Sequence, residues 1–175
     1  LTRATHESTC TLTKMTFAVF VPGSVEGMPV PDGGWPALYW LSGLTCDDTN
    51  FSTKAGAFAT AAAEGVAIVL PDTSPRGDVP DDDAYDLGKG AGCYVDAVKE
   101  PWSKNYNMYS YVVDELPALV EKAFGLSSVK SIFGHRMGGH GALTIALKTR
   151  GYASVSAFAP ICHPTNCPWG IKALE

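Results

Sequence analysis

Five short apolar segments lie along the chain, and most of them end at glycine, proline or a polar residue. They are residues 16–21, 37–41, 66–70, 129–133 and 155–158. Continuous apolar runs of this length are typical of strands that are covered on both faces. The pattern therefore predicts a mostly parallel β-sheet.

Helical patterns lie between several of these segments. Residues 54–64 are rich in alanine, residues 112–123 repeat apolar side chains at helical spacing, and residues 138–148 change from small to aliphatic. Pro117 lies inside the second pattern, so that helix either starts late or is kinked. Strands that alternate with helices predict an α/β fold with right-handed crossovers.

Residues 72–104 show no clear period and contain glycine, proline and several aspartates. A connection of this length inside a domain is usually functional. Residues 1–13 are polar and contain no hydrophobic run of the signal-peptide type. The chain also lacks an initiator methionine, which suggests that it begins inside a longer reading frame.

Composition narrows the class of protein. The chain has 175 residues, of which 46% are hydrophobic and 18% charged, so we expect one ordered domain over residues 1–175. A net charge of −5 repels phosphate backbones, which argues against nucleic acid as a partner. Membrane spans need about 20 consecutive apolar residues. No segment approaches that length, and we expect no membrane partner.

Five cysteines are present, and no two have the C-x-x-C spacing. Without a secretory signal, this odd number favours reduced thiols and a cytoplasmic location. Cys162, His163 and Cys167 resemble half of a zinc site whose other half is missing. We therefore expect neither a metal ion nor a cofactor.

The most specific motif follows the fourth predicted strand. It reads Gly134-His135-Arg136-Met137-Gly138 and runs directly into a predicted helix. A strand, a glycine-flanked turn and a helix are the setting of the nucleophile elbow, G-x-S-x-G. We expect Gly134 and Gly138 to be required sterically, because side chains there would collide with the neighbouring strand and helix. Arg136 occupies the position of the nucleophilic serine.

Together with this motif, several longer blocks resemble the S-formylglutathione hydrolase family, also called esterase D, of the α/β-hydrolase superfamily. The blocks are residues 36–46, 71–77, 90–97, 106–111, 131–143, 154–160 and 167–170. The resemblance covers nearly the whole chain and is far more specific than a single glycine-flanked turn.

The resemblance implies a reaction and a site. Family members hydrolyse S-formylglutathione to glutathione and formate, a step in formaldehyde detoxification, and many also cleave simple carboxylic esters. They use a Ser–His–Asp triad and no metal. Carried over to this sequence, the oxyanion would be held by the backbone N–H groups of Leu44 and Met137. A small-molecule substrate, a cytoplasmic location and a homodimer of the full-length protein are also implied.

The sequence departs from this family pattern in two ways. A guanidinium at Arg136 is always protonated and offers no lone pair to a carbonyl carbon. The chain also ends at Glu175, before the family motifs that carry the triad Asp and His. We therefore expect the N-terminal two-thirds of an α/β-hydrolase fold, without the C-terminal strands, and no catalytic activity in the chain as written.

Several further residues are candidates for a role in or around the site. Cys46 is either a thiol whose oxidation blocks the site or a small buried side chain. Trp169 forms part of a pocket rim by family analogy. His135 and His140 have supporting or packing roles rather than catalytic ones. The aromatic residues in and just before the fourth block either line a cleft or pack under the long connection: Trp102, Tyr106, Tyr109 and Tyr111.

The aspartates between residues 78 and 86 are read as a solvated loop rather than a calcium site, because their spacing is not that of a calcium loop. Three functional hypotheses remain. The complete gene product is an active S-formylglutathione hydrolase or a general carboxylesterase, the chain is a pseudoenzyme that binds a glutathione-like ligand through Arg136, or it has no function and exposes a strand edge.

Overall fold

The computed structural model describes residues 1–24 and 28–174, and a six-stranded mixed sheet runs through them. Its strands in chain order are β1 Thr2–Glu7, β2 Lys14–Phe20, β3 Trp35–Leu41, β4 Ala67–Pro71, β5 Leu126–His135 and β6 Val155–Phe158. Their order in the sheet is β1-β2-β4-β3-β5-β6. The pairs β1–β2 and β2–β4 are antiparallel, whereas β4, β3, β5 and β6 run parallel.

Helices connect the parallel strands, which confirms the predicted α/β class. They are α1 Asn50–Lys54, α2 Phe58–Ala63, α3 Met108–Ser110, α4 Leu116–Phe124 and α5 Met137–Thr149. A further helix, α6 Pro168–Leu174, follows β6. A π-helical turn, Tyr111–Glu115, joins α3 to α4. The long connection predicted over residues 72–104 extends in the structure from Pro71 to Met108 and contains neither a helix nor a strand.

All five predicted strands are present, and β6 has the predicted bounds. The sequence did not predict β1, whose residues pair antiparallel with β2 from Thr2 opposite Val19 to Glu7 opposite Lys14. Most side chains of β1 are exposed, and the strand is mostly polar, so it contains no apolar run that would predict it. Its backbone hydrogen bonds to β2 define the strand.

The helical pattern predicted over residues 54–64 contains the whole of α2 but is interrupted near its start. Two short helices occupy this region, and Gly56, with φ of +60°, lies in the break between α1 and α2. Left-handed backbone angles are compatible with glycine and interrupt a helix. The helix that contains Pro117 does not start late, because helical backbone runs from Met108 through the π-helical turn into α4. The irregularity expected at Pro117 is this π-helical turn, which ends two residues before the proline.

Two apolar clusters cover the two faces of the sheet. One packs Tyr39 and Val69 against α4 and α5, and the other packs Ile68 and Leu70 against α1 and α2. Strand β4 is buried along its whole length because its alternate side chains enter opposite clusters. Full burial of a leucine or isoleucine contributes about 1.5–3 kcal/mol, which explains why β4 is continuously apolar.

Candidate active site

The glycine-flanked turn lies between the end of β5 and the start of α5. Arg136 has φ of 53° and ψ of −113°, angles that side chains other than glycine rarely adopt. The Arg136 N–H donates to the Phe158 carbonyl over 3.0 Å, and the Arg136 carbonyl accepts from the His140 N–H over 3.0 Å. These bonds hold the backbone in a conformation that costs about 1–3 kcal/mol.

Two glycines give this turn the space it needs. A Cβ on Gly134 would meet the Gly138 carbonyl oxygen and would lie 2.8 Å from the Leu41 oxygen. A Cβ on Gly138 would overlap the Leu41 carbonyl and would lie 2.6 Å from the Ser42 oxygen. The start of α5 therefore rests directly on the carboxyl end of β3.

The loop that follows β3 lies against the turn. A Cβ on Gly43 would be 3.6 Å from the Arg136 Cβ and 3.4 Å from the His135 oxygen. Within the described ranges, neither the Leu44 N–H nor the Met137 N–H has a hydrogen-bond acceptor. Free N–H groups from two adjacent elements can stabilise an oxyanion, and the positive end of the α5 dipole adds to this.

The Arg136 side chain is exposed to solvent. Among residues 1–24 and 28–174, no carboxylate forms an ion pair with its guanidinium, so water solvates the charge. Arg136 thus combines an exposed charge with a Cβ that adjoins the loop carrying the free Leu44 N–H. This arrangement can bind an anion but cannot attack a carbonyl carbon.

Cys46 is half-buried at the far end of the same loop. Its carbonyl oxygen accepts hydrogen bonds from Thr73 Oγ1 over 2.5 Å and from Arg76 Nη2 over 2.8 Å. Arg76 also contacts the buried Asp72 carboxylate, with Nη2 2.9 Å from Oδ1. Burial raises the pKa of Asp72, and the hydrogen bonds and charge of Arg76 oppose this only in part.

A buried tyrosine supports the loop from beneath. The Tyr94 hydroxyl donates to the Ser42 carbonyl over 3.0 Å, and a Cβ on Gly141 would approach the Tyr94 ring to 2.7 Å. Burial raises the pKa of Tyr94 well above its ordinary value, so the hydroxyl remains a donor. Sequence reasoning missed Thr73, Arg76 and Tyr94 as parts of the site. Two of the blocks in the resemblance contain them and could have signalled it.

The two histidines of the motif occupy different surroundings. His140 Nδ1 lies 2.7 Å from the Ile161 carbonyl oxygen, so this nitrogen carries the proton and donates. His140 therefore fastens the segment after β6 to α5. The His135 ring lies near the loop after β3, with Nδ1 3.8 Å from the position of a Cβ on Gly43.

The aromatic residues predicted to line a cleft or pack under the connection are divided between both roles. Trp102 packs edge-on against Tyr106 with centroids 5.2 Å apart, and Tyr111 is buried. Tyr109 borders a cavity of about 220 Å³, and Lys148 lies 5.3 Å from its ring centroid. Trp169 belongs to α6, but its side chain lies outside the described part of the structure.

Asp81 in the acidic run accepts the backbone N–H groups of Asp82 and Lys89. Across the described ranges, no three His, Cys, Asp or Glu side chains gather as a metal site would require. No helix in this part of the chain combines the length and the apolar character needed to cross a bilayer.

Comparison with known proteins places this geometry in a family. A family model named Esterase, with the description "Putative esterase", matches residues 8–175. The chain belongs to this esterase family. It is 51% identical to an S-formylglutathione hydrolase of Rattus norvegicus, over 97% of this chain and 60% of that protein. The chain thus spans about 60% of the length of this curated relative.

Solved structures of esterases show the same fold. An S-formylglutathione hydrolase from Agrobacterium tumefaciens is 48% identical with a TM-score of 0.91, over 99% of this chain and 62% of that one. FphF, a fluorophosphonate-binding serine hydrolase of Staphylococcus aureus, has a TM-score of 0.73 at 18% identity, over 94% of this chain and 58% of that one. The first likeness confirms the resemblance to S-formylglutathione hydrolases, and the second is a likeness of fold alone.

Proposed function

We propose that this chain forms the elbow and oxyanion half of an S-formylglutathione hydrolase site, in which Arg136 replaces the nucleophile. The observation that carries the proposal is the backbone of Arg136, strained at φ of 53° between Gly134 and Gly138. Its neighbours Leu44 and Met137 keep free N–H groups. The similarity to the rat and Agrobacterium enzymes supports S-formylglutathione as the substrate.

The chemistry of such a site depends on residue 136. A serine there would attack the thioester carbonyl carbon while a histidine takes its proton and an aspartate orients the histidine. The N–H groups of Leu44 and Met137 would stabilise the developing oxyanion, and one such donor is worth about 100- to 1,000-fold in rate. Arg136 has no lone pair to donate, so it forms no acyl-enzyme and the chain as written is inactive.

Restoring the nucleophile tests this proposal. The Arg136→Ser chain would be joined to the part of the rat relative beyond the aligned region and treated with slowly hydrolysed thioester and short-chain ester substrates. We expect mass spectrometry to detect an acyl group on residue 136 in this form and none in the Arg136→Ala control. An Arg136→Ser form without the adduct would contradict the proposal. Faster reaction with the ester would favour a general carboxylesterase.

The free Arg136 guanidinium favours a second candidate, a pseudoenzyme that binds a carboxylate. A guanidinium can bond both oxygens of a carboxylate. The Arg136 Cβ lies 3.6 Å from the position of a Cβ on Gly43, the residue before Leu44. A glutathione-like thiol carries such carboxylates. Calorimetry with glutathione should then show heat that is lost in Arg136→Ala. The absence of heat, or unchanged heat in the variant, would end this idea.

The proposal also includes the domain organisation, oligomeric state, location and substrate class of the protein. Residues 1–175 belong to one incomplete α/β-hydrolase domain, the full-length protein forms a homodimer, and it acts in the cytoplasm on a small thioester or ester without a cofactor. Family similarity supports the small-molecule substrate. The net charge of −5 supports the absence of nucleic acid among its partners.

A further inference from the structure

Two side chains of the long connection converge on one carbonyl oxygen in the loop after β3. Thr73 Oγ1 donates to the Cys46 oxygen over 2.5 Å, and Arg76 Nη2 donates to the same oxygen over 2.8 Å. A carbonyl oxygen has two lone pairs, so these donors can occupy both of them. The position of Cys46 is therefore fixed by residues that directly follow β4, the neighbour of β3 in the sheet.

Both donors are themselves held in place. Thr73 is fully buried, and its N–H donates to Asp72 Oδ1 over 2.6 Å. Arg76 meets the same carboxylate through Nε, 3.2 Å from Oδ2, and Nη2, 2.9 Å from Oδ1. The planar guanidinium fork is held rigidly by such a two-point contact. Thr73 and Arg76, which we call the Cys46 clamp, therefore hold the Cys46 carbonyl oxygen in a fixed position.

One hydrogen bond connects Cys46 to the peptide unit that contains the Leu44 N–H. The Cys46 N–H donates to the Gly43 oxygen over 3.2 Å and closes a turn over residues 43–46. The Gly43 carbonyl and the Leu44 N–H belong to one planar trans peptide unit, in which they point in opposite directions. Fixing the Gly43 carbonyl therefore fixes the direction of the Leu44 N–H.

The turn needs such support because it contains a strained residue. Thr45 has φ of 66°, which is unfavourable for a β-branched side chain. Its N–H donates to the Gly90 oxygen over 2.9 Å, and Gly90 in turn donates to Ser74 Oγ over 2.8 Å. The long connection thus holds this turn at both Thr45 and Cys46.

From this chain of contacts we infer that Thr73 and Arg76 are positioning residues for the Leu44 N–H. They act through the Cys46 carbonyl and do not touch the substrate. The inference rests on the proposed function, because that function places Leu44 at the oxyanion. It assigns the Asp-Thr-Ser-Pro-Arg segment, residues 72–76, to the preorganisation of the site.

Hydrogen exchange on the chain itself tests the clamp. Thr73→Val keeps the shape of the side chain and removes the donor, whereas Thr73→Ser retains a hydroxyl. We expect mass spectrometry to show about tenfold faster exchange across residues 43–48 in Thr73→Val, wild-type exchange in Thr73→Ser, and no change in β4. Unchanged exchange in Thr73→Val would overturn the inference, as would equal acceleration in β4. Arg76→Met, at a side chain that is 38% exposed, replaces Thr73→Val if that variant does not fold.

A catalytic readout separates positioning from general stability. In the Arg136→Ser protein joined to the rat segment, Thr73→Val should lower kcat about tenfold at unchanged KM, because the Leu44 N–H that Thr73 positions acts on the transition state. Thr73→Ser should restore kcat. An active parent whose kcat is unaffected by Thr73→Val would refute the inference. If the parent is inactive, the proposed function fails, and the exchange experiment still decides about the clamp.

Discussion

At the scale of single residues, Arg136 combines a strained backbone with a solvated charge. The glycines on either side make the turn possible, and hydrogen bonds to Phe158 and His140 hold it closed. The conformation suits a nucleophile that must project from a sharp turn. It brings no evident benefit to an arginine that makes no ion pair within the described ranges.

The strain at this residue is measurable. Replacing Arg136 with glycine relieves about 1–3 kcal/mol of backbone strain and loses about 0.4–1 kcal/mol through the more flexible unfolded chain. We therefore expect Arg136→Gly to stabilise the protein by about 1 kcal/mol in urea unfolding. Arg136→Ala removes the charge but keeps a Cβ, so it serves as the control. If the alanine form gains as much stability as the glycine form, the cause is charge and not backbone strain.

At the scale of elements, the π-helical turn anchors the connection between β1 and β2. Glu115 accepts hydrogen bonds from Ser8 Oγ over 2.7 Å, the Thr9 N–H over 2.8 Å and the Cys10 N–H over 3.0 Å. Burial acts to raise the pKa of Glu115, but the hydrogen bonds from these residues outweigh it, and the pKa lies below its ordinary value. The charged form of Glu115 therefore stabilises the folded state.

Glu115→Gln should lower the free energy of unfolding at pH 7 by about 1–3 kcal/mol, because the charged acceptor of three donors is lost. A depressed pKa gives stability that is present above the unfolded value of about 4.5 and is lost as the pH falls through the folded value. The difference between the wild type and Glu115→Gln should therefore shrink on acidification. Denaturant titrations at pH 7 and pH 3 measure it, with the exposed Asp114→Asn as the control. A difference that does not change with pH would contradict this account.

The elements also show which parts of this structure a sequence can predict. A continuous apolar run predicts a buried strand such as β4, and the two glycines of the elbow predict its tight turn. Strand β1 and the Thr73–Cys46 contact leave no such local signature. Strand β1 is defined by backbone hydrogen bonds to β2, and the Thr73–Cys46 bond joins residues 27 positions apart. Neither depends on the spacing of apolar side chains, so the hydrophobic pattern does not predict them.

At the scale of the whole molecule, the sheet ends in an exposed edge. Strand β6 pairs with β5, and on its other side no strand within the described ranges pairs with it. Phe158 on this strand is 54% exposed. Edges with free backbone groups and apolar side chains promote pairing between chains.

We therefore expect the 175-residue chain to self-associate as its concentration rises. Phe158→Lys should reduce association, because a charge on an edge strand opposes pairing. Tyr85→Lys is a matched control, since Tyr85 is 69% exposed but lies in the long connection. Sedimentation velocity over a concentration series measures the effect. A chain that remains monomeric throughout, or an equal response to both variants, would contradict this interpretation of the edge.

In the proposed function, residue 136 alone separates this elbow and oxyanion arrangement from that of an active hydrolase. The most direct test is the rate of S-formylglutathione hydrolysis by two proteins joined to the same rat segment, one unaltered and one with Arg136→Ser. We expect turnover by the Arg136→Ser form and only the background rate in buffer for the unaltered form. Equal rates, or turnover by the unaltered form alone, would contradict it.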